Sequence, residues 1–82
     1  EISFGSGISV YPNPSNANIT VQLRDVKGVD VSIINTLGEK VYVQNNVSQE
    51  KVEISVINLR NGIYFIIVRG EIDQKVIKLV KQ

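Results

Sequence analysis

Asn61-Gly62-Ile63-Tyr64-Phe65-Ile66-Ile67-Val68 is the stretch on which the fold turns. Asn61-Gly62 supplies turn chemistry, because both residues tolerate positive φ. The run from Ile63 to Val68 then has no polar position at all. Too short for a stable isolated helix and rich in β-branched residues, it reads as a strand. Apolar side chains on both of its faces predict a central strand, packed inside its sheet and partly covered outside.

Working outward, the neighbouring segments carry the period-two alternation of strands buried on one face. Upstream, Val52, Ile54 and Val56 alternate with Glu53 and Ser55, and Val41 and Val43 with Lys40, Tyr42 and Gln44. Val29, Val31 and Ile33 alternate with Asp30 and Ser32, and a turn at Leu37, Gly38 and Glu39 joins this strand to the next as a hairpin. Ile19, Val21 and Leu23 alternate with Thr20 and Gln22, while Ile8 and Val10 flank Ser9 before Pro12 ends the ladder. Downstream, Lys75-Val76-Ile77-Lys78-Leu79-Val80-Lys81 also suits an amphipathic helix, but its length and its Val and Ile content favour a strand. The prediction is an all-β, immunoglobulin-like antiparallel β-sandwich of about seven strands. Its expected core is Ile19, Val21, Val31, Ile33, Val41, Val43, Ile54, Phe65, Ile67 and Leu79.

The chain has 82 residues, enough for one hydrophobic core. Residues 1–7, with Phe4, Gly5, Ser6 and Gly7, read as a linker remnant, and 8–82 as the domain, cut from the end of a larger protein. A hydrophobic fraction of 43% with 21% charged residues fits a folded module. The net charge of +1 gives no global attraction to nucleic acid, and no apolar run approaches the roughly 18 residues of a membrane span.

With no His and no Cys, the usual general base, thiol nucleophile and transition-metal ligands are missing, so neither catalysis nor a cofactor is expected. The carboxylates of Glu1, Asp25, Asp30, Glu39, Glu50, Glu53, Glu71 and Asp73 have no paired or calcium-loop spacing. Gly5-Ser6-Gly7 leads into a strand, where a phosphate cradle requires a helix. Asn18-Ile19-Thr20 and Asn46-Val47-Ser48 match the glycosylation sequon, a pattern short enough to arise by chance. Tyr11, Tyr42, Tyr64, Phe4 and Phe65 do not interleave with basic residues as a single-strand nucleic-acid platform requires. Tyr64, at the start of the central strand, is placed to return its hydroxyl to the backbone of the preceding loop.

Four motifs carry more information together than apart: Val10-Tyr11-Pro12-Asn13-Pro14, Asn35-Thr36-Leu37-Gly38-Glu39-Lys40-Val41, Leu59-Arg60-Asn61-Gly62-Ile63-Tyr64 and Lys78-Leu79-Val80-Lys81. In this order and spacing, from Ile8 to Lys81, they resemble the type A C-terminal sorting domain of the type IX (Por) secretion system of Bacteroidetes. One further residue, Gln82, follows the last motif. Their local chemistry is structural. Pro12 and Pro14 fix φ and withhold N–H donors, turning the chain toward the other sheet. Gly38 and Gly62 permit turns, Leu59 plugs the end of the core, and Tyr64 makes the corner bond.

The resemblance implies a non-catalytic address label, covalently part of a secreted cargo protein. It would be read by the secretion machinery, carried from the periplasm across the outer membrane, and removed by a sortase-like peptidase that anchors the cargo at the cell surface. It further implies that Lys78, Leu79, Val80 and Lys81 are a recognition element, with Lys78 and Lys81 on the polar surface of the final strand. Tyr11, Pro12, Asn13, Pro14, Gly38, Gly62 and Tyr64 are then chiefly structural. Two other readings remain open at this stage: an immunoglobulin- or fibronectin-like spacer, and a carbohydrate-binding sandwich with Tyr42 as its best exposed aromatic. Exposed edge strands also leave self-association open.

Overall fold

A computed structural model describes residues 7–24, 28–71 and 73–82. Glu1, Phe4, Gly5, Ser6 and Asp25, named above, lie outside the described residues. The chain forms β1 (Ile8–Tyr11), β2 (Asn18–Leu23), β3 (Val29–Ile34), β4 (Lys40–Val47), β5 (Lys51–Ser55), β6 (Gly62–Arg69) and β7 (Gln74–Lys81). Two antiparallel sheets pack as a sandwich: β1-β2-β5 and β4-β3-β6-β7. Each expected strand is present, and β6 is interior to its sheet, between β3 and β7. The final segment is strand over its whole length.

The core lies between the sheets. Ile19, Val21, Leu23 and Ile54 come from one side, and Val31, Ile33, Ile66, Val68 and Leu79 from the other, all essentially inaccessible to water. Each such side chain stabilises the fold by about 1.5–3 kcal/mol through burial, so a domain this small depends on nearly all of them.

Four of the expected core residues face outward instead. In β6 the inward set is Tyr64, Ile66 and Val68, which leaves Phe65 and Ile67 half-buried on the outer face. Periodicity could not choose between two apolar sets. In β4, Tyr42 lies opposite buried Ile33 and packs against the core, so Val41 and Val43 turn outward. That phase follows from the pairing of Val43 with outward-facing Ser32, and a register shift between Ile33 and Ile34 then brings Lys40 opposite Ile34. A second shift, between Val29 and Val31 on the partner strand, returns Val47 to the core. There Asn46 adopts φ 55°, and its N–H donates to Asp30 Oδ1 at 3.0 Å.

The loop after β1 also differs from expectation. Pro12 and Pro14, both in cis peptide bonds, do not transfer the chain to the other sheet, because β2 returns antiparallel beside β1. The loop instead touches the edge of the other sheet as it passes.

Candidate functional site

The β3–β4 turn is built around Asn35. Its Oδ1 accepts the backbone N–H groups of Leu37 and Glu39, both at 2.9 Å, and its Nδ2 donates to Glu39 Oε1 at 2.8 Å. Gly38 sits at φ +84°, where a side chain would strain the backbone, and donates its N–H to Asn35 O at 3.0 Å. This motif is a self-contained turn, with Leu37 projecting into solvent.

The other three motifs converge on the last strand. Val80 exchanges no bonds with β6, since its N–H and C=O both point off the sheet edge. There the loop takes the place of a further strand. Val80 N–H donates to Asn13 Oδ1 at 3.1 Å, and Asn13 Nδ2 donates to Lys78 O at 2.7 Å. Ser15 N–H donates to Val80 O at 2.9 Å, and Gln82 N–H to Ser15 O at 2.8 Å, a short parallel bridge beside Lys81. The Ser15 hydroxyl, buried, donates back to Asn18 O at 2.9 Å. The two prolines bend the chain so that Asn13 and Ser15 meet β7 in succession, while Tyr11 stays on the outside and donates to Gln22 Oε1.

On the inner side of β7, Leu79 is fully buried and Lys81 is only 6% exposed. The ammonium of Lys81 donates to Leu59 O at 3.1 Å, and Leu59 itself packs on the core. One residue further along, Arg60 O accepts the hydroxyl of Tyr64 at 2.7 Å, the expected corner bond. Gly62, at φ +150°, lets the chain pass from this loop into β6 opposite Lys81. The expectation that Lys81 lies on the polar surface is therefore overturned. Strand alternation puts residues 79 and 81 on one face and 78 and 80 on the other, and a carbonyl at the core's rim receives the buried ammonium.

Tyr42, the candidate sugar-platform aromatic, is half-buried, and its hydroxyl donates to Gln44 Oε1. Burial raises the pKa of this phenol, which keeps it neutral. Among the described residues, no three His, Cys, Asp or Glu side chains come together. A hollow beside Lys40 and Val43 holds about 90 Å³, well below the roughly 300 Å³ of an ordinary small-molecule site.

These features define an immunoglobulin-like module whose distinctive construction is a clamped C-terminal strand. A family model for the secretion system C-terminal sorting domain matches residues 9–82, and the chain belongs to that family. Its role is that of a type IX sorting signal, in a family that is in general non-catalytic and whose members are exported across the outer membrane. No curated protein matches the chain at a significant level.

Proposed function

We propose that this domain is the folded address of a larger cargo protein, read by type IX machinery through the C-terminal edge that Asn13 and Ser15 hold in place. The observation that carries the reading is the convergence of three family motifs on β7 within a chain matched from 9 to 82. Within the last motif the roles divide. Lys78 and Val80 face outward and are available to a partner, whereas Leu79 and Lys81 hold the strand to the core. Residues 1–7 act as the linker in which a sortase-like peptidase separates cargo from domain before the cargo is anchored.

The test is to place the 82 residues behind an unrelated periplasmic reporter in a bacterium with a working type IX system, and in one without it. Reporter reaching the medium or cell surface only in the first strain is the expected result. Equal periplasmic retention in both contradicts the reading.

A further inference from the structure

The two outer faces of the sandwich differ in kind. On the three-stranded sheet, Thr20, Gln22, Lys51, Glu53 and Ser55 point outward, as expected of a solvated face. On the four-stranded sheet many of the outward positions are apolar and lie in register across the strands, with polar Ser32 among them. Val76, Ile67, Ser32 and Val43 form one row, and Val80 lies beside Ile63 in another. Between them runs a row with Lys78 on β7, Phe65 on β6, Ile34 on β3 and Lys40 on β4. Val76 is 52% exposed, Val43 48% and Ile63 42%. A contiguous exposed apolar patch of this kind marks an interaction surface.

We infer that this face is a docking surface for a separate protein that presents an apolar surface flanked by carboxylates. The proposal rests on the sorting reading and names which face the machinery meets. Charge complementarity selects the occupant. Lys40 and Lys78 bracket Phe65 and Ile34 from the two edge strands, three strand spacings or about 14 Å apart. At the far end of the face Asp30 is paired in register with Arg69, so the bracket row itself holds no acid. A second copy stacked face to face would set these lysines against each other. A lipid surface is disfavoured by the shape, since Phe65, Ile67 and Ile34 are half-sunk and no Trp projects as an interfacial anchor. The hollow beside Lys40 and Val43 is too small for a small-molecule ligand.

The experiment uses the same reporter fusion, which excludes the natural cargo as occupant, with three paired substitutions: Lys40→Glu with Lys78→Glu, Lys40→Arg with Lys78→Arg, and Val43→Thr with Val76→Thr. The Glu and Thr pairs are expected to lower export at least 10-fold, the Arg pair to leave it near the parent level, and all three to melt cooperatively within a few degrees of the parent. Parent-level export of the Glu pair overturns the proposal, as does loss of export in the Arg pair. Purified domain is also tested for flotation with vesicles of phosphatidylcholine and phosphatidylglycerol, and for mass by sedimentation. Vesicle binding that the Glu pair abolishes assigns the face to a membrane, and a parent dimer that the Thr pair dissociates assigns it to a second copy. Either result overturns the protein partner. Failure of the parent domain to export the reporter is a different outcome, which overturns the sorting reading itself.

Discussion

Asn13 and Val80, 67 positions apart, are joined by a hydrogen bond of 3.1 Å from the Val80 N–H to the Asn13 side-chain oxygen, and the same amide donates to Lys78 O at 2.7 Å. One side chain thus occupies both the donor and the acceptor side of an exposed strand edge, as a neighbouring strand would. Because each bond contributes about 0.5–1.5 kcal/mol net, Asn13→Ala is expected to destabilise the domain by about 1–2 kcal/mol. In a domain of this size that is a fall in Tm on the order of 5–10 °C. Thermal unfolding followed by circular dichroism checks it, and an unchanged Tm contradicts the clamp.

Lys81 separates stability from recognition. Lys81→Glu sets a buried carboxylate against Leu59 O and is expected to cost about 3–5 kcal/mol, enough to unfold much of the population. Lys81→Met keeps the stem in the core and removes the charge, so its stability should stay within about 1 kcal/mol of the parent. Chemical denaturation of the two variants is the check. Equal tolerance of Glu and Met would return Lys81 to the surface.

The corner bond makes a third, local prediction. Tyr64→Phe keeps the ring among its core neighbours and strips Arg60 O of its donor, a loss of about 1–2 kcal/mol. A urea midpoint indistinguishable from the parent's would show that the hydroxyl contributes nothing.

Ile66 and Ile67 test the assignment of faces in β6. Ile66 is fully buried between the sheets and Ile67 is half-buried on the outside, so Ile66→Ala is expected to cost about 2–5 kcal/mol and Ile67→Ala clearly less. The opposite order in denaturation midpoints would invert the strand.

The same strand shows where the sequence was readable and where it was not. Alternation in β2, in β5 and over Val29 to Ile33 of β3 identified both the strands and their buried faces, because only one set of side chains in each stretch is apolar. In β6 both sets are apolar, and its phase is set by tertiary contacts, the Tyr64 corner among them. In β4 the phase follows from its pairing with β3, Tyr42 opposite Ile33 and Val43 opposite Ser32, which no alternation within β4 encodes. Gly38, Gly62 and Tyr64 were legible because turns and corners have local chemistry. The clamp was not, since Asn13 and Val80 lie at opposite ends of the chain, and neither was the burial of Lys81, whose partner is a backbone carbonyl of the Leu59 loop. Both are long-range contacts made by polar groups, to which a hydropathy pattern is blind.

The central claim is that motifs distant in sequence assemble one clamped C-terminal edge, and amide hydrogen exchange of the domain reads it bond by bond. Along the outer edge of β7, Val80 N–H is bonded to Asn13 and Gln82 N–H to Ser15, whereas Val76 N–H points off the same edge below the reach of the loop. Val80 and Gln82 are expected to exchange markedly more slowly than Val76, and Asn13→Ala to accelerate Val80 selectively. Exchange of Val80 as fast as Val76 in the parent domain would contradict the clamp, and with it the account of the C-terminal strand as a held, folded address.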